Sequence, residues 1–269
     1  MSELAGLRAL ITGGSSGIGA AIARELAARG ARLVLTARRR AQLDEVAASC
    51  HGVQVDTIAA DLGRDGGADA VWTAATQGGP VDILVNNAGF GAFRPFAQTE
   101  RERDAEMIEL NVTALVRLSK EFVVACGDRR GYLLNVASIG AYQSVPNMAL
   151  YAASKAFVRN FTEALHDELR GGPVSATCVC PGGTKTAFHA AAGAGDYSWI
   201  ANASMMSAEA VARVAVQAML ARRRTVIPGL VNKLSCWGVR VVPRRLASWL
   251  AQRVLGTPRL ALPPRTAAR

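Results

Sequence analysis

Short apolar runs alternate with helical patterns over the first two-thirds of this chain, and that rhythm restricts its fold more than any other feature. Leu7–Thr12, Arg32–Thr36, Val53–Ala60, Val81–Val85, Gly131–Val136 and Val174–Cys180 read as strands. Helices are expected between them over Ile18–Arg29, Arg40–Cys50, Ala68–Gln77, Glu100–Cys126 and Leu150–Arg170, with stops at Gly30, Gly78-Gly79-Pro80 and Gly171-Gly172-Pro173. Strands linked by helices must run parallel, because a helix carries the chain back to the starting edge of the sheet. The expected class is α/β, a doubly wound parallel sheet covered on both faces.

After Pro181 the rhythm breaks. Residues 187–206 show no clear period and suggest either a functional lid or a helix whose pattern is hidden. Ser207–Arg222 reads as a further helix and Thr225–Pro228 as a short strand. Residues 1–228 then form one domain, and residues 229–269 an extension. Half of the residues are hydrophobic and 19% are charged, which excludes a disordered chain. No apolar run reaches the roughly 18 residues of a membrane span. The Met1-Ser2-Glu3-Leu4 start has no basic stretch of the secretory kind, so a cytoplasmic location is expected. Five cysteines without a CxxC and three scattered histidines predict reduced core thiols and no metal. The net charge of +10 is concentrated at one end, for Arg222–Arg269 holds eleven Lys/Arg and no acid. No nucleic-acid recognition motif accompanies it.

The first expected strand runs into Thr12-Gly13-Gly14-Ser15-Ser16-Gly17-Ile18-Gly19. A glycine turn between a strand and a helix lets backbone N–H groups and the positive helix end approach a pyrophosphate. Gly13, Ser15, Ser16, Gly17, Ile18 and Gly19 are the candidate contacts. Alone, such a turn can also be a plain tight connection, and its G-x-x-x-G-x-G spacing is not that of the standard dinucleotide fingerprint. The second strand ends in Ala37-Arg38-Arg39-Arg40 with no acid. Arginine suits a ribose 2′-phosphate, whereas an acid would suit the 2′-hydroxyl of NAD. NADP(H) is therefore expected over NAD(H), with Arg38 at the phosphate; a basic first turn of a surface helix is the plainer reading.

Further motifs fall in a fixed order: Asp61-Leu62, Asn86-Asn87-Ala88-Gly89, Asn111, Ser138, Tyr151-x-x-x-Lys155 and Pro181-Gly182-x-x-x-Thr186. Together with the glycine turn they resemble the short-chain dehydrogenase/reductase (SDR) family, whose fold is Rossmann-type. The resemblance implies that Asp61 and Leu62 meet the adenine and that Asn87, Ala88 and Gly89 border the adenosine. It also implies that Pro181, Gly182, Thr184 and Thr186 hold the nicotinamide carboxamide. Asp61 could equally cap the following helix. The catalytic set so implied is Asn111, Ser138, Tyr151 and Lys155, with Tyr151 and Lys155 also touching the cofactor and Asn111 kinking the long helix. A homodimer or homotetramer paired through the two long helices is implied as well.

Tyr151 and Lys155 are four apart and so share one helix face. A free phenol, with a pKa of about 10, is a poor base at neutral pH. An ammonium roughly 4 Å away, at an effective dielectric of about 20, favours phenolate by up to about 4 kcal/mol. The expected reaction moves a hydride between nicotinamide and a carbonyl or secondary alcohol, with Tyr151 exchanging the proton and Ser138 holding the oxygen.

Phe188, Tyr197, Trp199 and Ile200 of the lid, faced by Gly91, Phe93 and Phe96, suggest a lipophilic substrate such as a steroid, fatty or acyl carbonyl. The same residues could simply pack a core. The tail shows two apolar helical stripes divided by Pro243, with Arg240, Arg244, Arg245 and Arg253 beside them. They fit either a peripheral membrane contact or helices closing the pocket or a subunit interface. The alternative to an enzyme is a non-catalytic NADP(H)-binding regulator or membrane-docking protein.

Overall fold

The computed structural model describes residues 3–184 and 205–254 of the chain. Thr186 and nearly all of the expected lid lie outside the described residues. Strands β1 (Arg8–Thr12), β2 (Arg32–Ala37), β3 (Val55–Ala59), β4 (Ile83–Asn86), β5 (Gly131–Val136), β6 (Val174–Val179) and β7 (Thr225–Val226) form one sheet in the order β3-β2-β1-β4-β5-β6-β7. Every neighbouring pair runs parallel, as the alternation of elements requires.

The helices are α1 (Gly17–Ala28), α2 (Arg40–Ala48), α3 (Gly67–Thr76), α4 (Arg101–Ile108), α5 (Ala114–Cys126), α6 (Ala149–Glu168), α7 (Ala208–Leu220), α8 (Leu230–Val241) and α9 (Arg244–Val254). Successive strand residues point to opposite faces, and both faces are covered. Ile11, Leu33, Leu35, Ile83 and Val85 pack on one side with residues of α1, α2 and α7. Leu10, Val34, Leu84 and Leu133 pack on the other with residues of α3 and α5.

Two expectations need correction. The helix expected over 100–126 is interrupted: Glu109–Thr113 takes a wider π-helical turn between α4 and α5. A local widening of this kind needs a tertiary partner, supplied by the Asn111 side chain described below. Pro243, expected at the first position of the second tail helix, sits just ahead of Arg244, and its carbonyl accepts from the backbone N–H of Leu246 and Ala247. It lacks an N–H to offer, so it suits a helix start in either position.

Candidate active site

The strand order reverses between β1 and β4, and a crevice opens there at the carboxyl ends of the strands. Thr12, at the end of β1, ties the two strands together. Its hydroxyl accepts from the N–H groups of Asn87 and Ala88, each at 3.0 Å. Asn87 answers by donating from Nδ2 to the carbonyls of Thr12 at 3.0 Å and Gly13 at 3.2 Å. The glycine turn is thus fixed to the Asn87–Gly89 turn by four bonds.

Gly13 has φ +65° and Gly17 φ +56°, in the left-handed region. A Cβ on Gly19 would strike the carbonyl of Gly13. Helix α1 starts after Ser16 with no side-chain cap and no acid in its first turn. An uncapped helix start within a glycine turn is a ready anion site, so these residues fit a pyrophosphate.

The basic cluster after β2 is divided. Arg38 is exposed and pairs with Glu106 at 3.1 Å, and Arg40 pairs with Asp44 at 3.1 Å. Arg39 makes no ion pair among the described residues. Asp61 does not cap α3, whose N-cap is Gly66; its Oδ1 instead accepts from Gly63 N–H at 3.0 Å. Leu62 is buried in the core, leaving its backbone as the part a cofactor could meet.

Asn111, Ser154, Tyr151 and Lys155 converge beyond β4. Asn111 is fully buried at the π turn, where its Nδ2 donates to Phe90 O at 2.9 Å and to Ser154 Oγ at 3.1 Å. Its Oδ1 accepts from Phe90 N–H at 3.1 Å. Ser154 in turn donates to the carbonyl of Tyr151 at 2.8 Å. Lys155 is buried, with Nζ donating to Val136 O at 2.9 Å and lying 5.9 Å from the centre of the Tyr151 ring. A Cβ on Gly89 would lie 2.9 Å from Asn111 Oδ1 and 3.3 Å from Lys155 Nζ, so that position needs glycine. Ser138 follows β5 and opens a short turn over Ile139–Tyr142 that packs against α6; its Oγ accepts from Gly140 N–H at 3.1 Å. The next residue, Ile139, donates its N–H to the carbonyl of Pro181 at 2.9 Å, which joins the turns after β5 and β6.

The short chain dehydrogenase family profile matches residues 8–197 of the sequence. The chain belongs to that family. L-xylulose reductase of Bos taurus is 33% identical over 187 residues, spanning 66% of this chain and 72% of its own. A 7beta-hydroxysteroid dehydrogenase structure, solved to explain stereoselectivity, superposes with a TM-score of 0.82 at 26% identity, covering 93% of this chain and 98% of its own. A short-chain dehydrogenase from Sphingobium yanoikuyae in complex with NADPH gives 0.76 at 30% identity, with coverage of 89% and 97%. The chain is therefore an oxidoreductase of a family that works on C=O and CH–OH groups with nicotinamide cofactors.

Burial lowers the pKa of Lys155 in this short-chain dehydrogenase to about 8, while Cys178 and Cys180 act in the opposite sense. Both cysteines are buried, Cys178 on β6 and Cys180 just beyond its end, with sulfurs 3.7 Å apart, too far for a disulfide. All five cysteines are buried free thiols, as expected. Hydrogen bonding to Cys180, followed by burial, holds the Cys178 thiol well above its ordinary pKa.

Several supporting residues escaped the sequence reading. Ser154 couples Asn111 to the Tyr151 backbone, and its position inside Tyr-x-x-x-Lys was the available signal. Asn86 opens the turn that the resemblance sets beside the adenosine, yet its side chain has a structural task the motif does not show. Its Nδ2 donates to Ser119 Oγ and to Asn135 Oδ1, each at 3.0 Å, and Asn135 donates to Thr162 Oγ1 at 2.9 Å. This buried polar chain braces β4 and β5 against α5 and α6 directly behind the site. Asn232 of α8 is also buried, donating to Pro228 O at 2.9 Å and packing on Gly182, where a Cβ would strike its amide. Thr184 donates to Gly182 O at 3.1 Å. Of the expected apolar wall, Phe93 is buried beside Tyr151, Val145 and Met148, whereas Phe96 is exposed.

Proposed function

We propose that this enzyme is an NADP(H)-dependent carbonyl reductase or secondary-alcohol dehydrogenase whose substrate is lipophilic. The observation that carries the reading is the buried Lys155 amine held one helical turn from Tyr151, beside Asn111 and Gly89. A buried cation costs desolvation, and its retention makes sense where its charge does work. Ser15–Gly19, Asn87–Gly89 and Pro181–Thr184 would hold the cofactor, with Asp61 and Leu62 at its adenine end and Thr186 at the carboxamide. Bound there, the cofactor supplies or accepts the hydride. Tyr151 gives its phenolic proton to the substrate oxygen in reduction and takes it back in oxidation. Ser138 donates to the same oxygen and orients the carbonyl. Lys155 favours the phenolate, and Asn111 fixes the π turn behind it.

Arg38 would take the 2′-phosphate, exchanging its half-buried partner Glu106 for a doubly charged one, and Arg39, which makes no ion pair among the described residues, follows it in sequence. The neighbour's NADPH supports this reading, as does the absence of an acid after β2. The buried Phe93–Val145–Met148 cluster beside Tyr151 and the steroid chemistry of the superposed dehydrogenase favour an apolar substrate. Residues 1–228 would constitute the catalytic unit, with residues 229–269 as an extension anchored through Asn232. Val124 of α5 and Phe157 of α6 are exposed and suit a homo-oligomer paired through these helices.

NADPH consumption with a panel of steroid, fatty and small polar carbonyls tests the proposal. Turnover should favour the apolar members. Arg38→Ala should raise KM for NADPH about ten-fold while leaving NADH unchanged, since one charge-assisted phosphate contact is removed. Equal use of NADH by the native enzyme would remove the cofactor preference, and turnover confined to polar sugars would remove the substrate class.

A further inference from the structure

Helices α8 and α9 are amphipathic with the usual sense inverted. Toward the domain α8 buries Asn232 and Cys236, and the buried residues of α9 are Ala247 and Ala251, all of them small or polar. Away from it α8 carries Leu230, Val231, Leu234, Trp237 and Val241, each between 59% and 72% exposed. Helix α9 also exposes large apolar residues, Leu246, Trp249 and Leu250, each by at least 40%. Soluble surfaces scatter single apolar residues and seldom gather two tryptophans and several leucines on one side. Arg240, Arg244 and Arg245 stand between the two stripes, and none of them makes an ion pair among the described residues. Arg253 lies over the Trp249 ring at 4.5 Å.

We propose that this face docks the enzyme peripherally on a bilayer containing anionic phospholipid. Leu234, Trp237 and Trp249 enter the interface while the arginines meet lipid phosphates. Charge decides against a second copy of the chain as the occupant. A two-fold contact sets a patch against itself, and this one would face arginine with arginine, with no acid anywhere from Arg222 onward to compensate. An anionic surface supplies the missing charge. Insertion across the bilayer is not needed, and no helix among the described residues is long and apolar enough for it.

The position of α8 gives the docking a use. Its inner side rests on Gly182 through Asn232, and it packs on the turn that begins at Ser138. The lipid side therefore lies about one helix diameter, ~10 Å, from the proposed nicotinamide end of the site. A lipophilic carbonyl could pass from bilayer to site without crossing bulk water. This last step rests on the proposed carbonyl chemistry; the docking does not.

Flotation of the full chain with phosphatidylcholine vesicles, with and without about 30 mol% phosphatidylglycerol, tests the inference. The protein should float with the anionic vesicles, remain largely free of the neutral ones, and be released at about 0.5 M salt. Each arginine near such a surface contributes about five-fold to partitioning, so R240Q/R244Q/R245Q should lower it about a hundred-fold. Leu234→Ser with Trp237→Ser should lower it at least ten-fold at an unchanged melting temperature. Three results would overturn the inference: a native chain that stays down with anionic vesicles, variants that float as well as it does, or a lipid-free native assembly that the Leu234→Ser/Trp237→Ser pair dissociates. Turnover of a water-soluble carbonyl reads the active-site proposal separately, since its failure with flotation intact leaves the docking standing.

Discussion

The crevice at the carboxyl edge of the sheet and the outward face of α8 and α9 are opposites. In the first, polar groups are buried and partnered: Asn111, Ser154, Lys155, Asn135 and Thr162 have little or no exposure, and each makes a hydrogen bond. In the second, large apolar groups are exposed, and small or polar residues face inward. Each arrangement costs stability in its own way, through desolvation or unburied hydrocarbon. The comparison teaches that function is sought where placement runs against the folding rule, and that the two violations call for opposite experiments.

The largest expected effect breaks the chemistry of the buried side. Tyr151→Phe should lower kcat by about a thousand-fold or more while leaving NADPH affinity within a few-fold, measured by steady-state kinetics and cofactor fluorescence. Equal losses of affinity and kcat would assign Tyr151 to binding alone.

A second test uses the cost of burying Lys155. Its pKa near 8 lies below the ordinary lysine value, so between about pH 8 and 10.5 the unfolded chain binds a proton that the folded chain has released. Stability from this group therefore rises with pH across that window, by up to about 3 kcal/mol. Buried thiols act oppositely: burial raises Cys126 and Cys236 to about 11, and their contribution is lost above about pH 9. The difference between the native protein and Lys155→Met isolates the lysine. Without cofactor, the variant's stability advantage in urea should be largest below pH 8 and shrink toward pH 10.5.

Asn135→Ala should cost about 1–3 kcal/mol in the same urea titration, because it strips a partner from both Asn86 and Thr162 inside the core. On the exposed side the expected effect is smallest. Trp237→Ser should change stability by no more than about 0.5 kcal/mol, since the ring has little packing to lose. A loss above about 2 kcal/mol would mean that Trp237 is part of a core, and the contrast between the two regions would fail.

Much of the fold was legible because parallel strands buried on both faces are continuous apolar runs, and glycines mark the turns between elements. Boundaries came within a residue or two, and Gly131–Val136 matched in full. The irregularity at Glu109–Thr113 was legible only as the kink that the resemblance implies at Asn111, and its cause, a distant turn at Phe90 that holds the Asn111 amide, was not. Asn135 was invisible for the same reason, and Ser154 was marked only by its place inside Tyr-x-x-x-Lys. A single Ser or Asn carries no sign of which distant partner will satisfy it. The glycine turn, Asp61-Leu62, Asn86–Gly89, Ser138 and Pro181-Gly182 could be read because they follow strand ends, which gather at one edge, whereas Asn111 and Tyr151-x-x-x-Lys155 are carried on helices.

By itself the sequence determined the α/β class, the glycine turn and the family, and through the resemblance it nominated Asn111, Ser138, Tyr151 and Lys155 as a catalytic set. These depend on local periodicity and on side chains whose spacing survives any packing. The tertiary structure alone decided which way the tail helices turn, that Arg38 meets Glu106, and that Asn232 seats α8 against Gly182. An amphipathic pattern specifies a stripe but not its direction, which is set by the shape and polarity of what the helix meets.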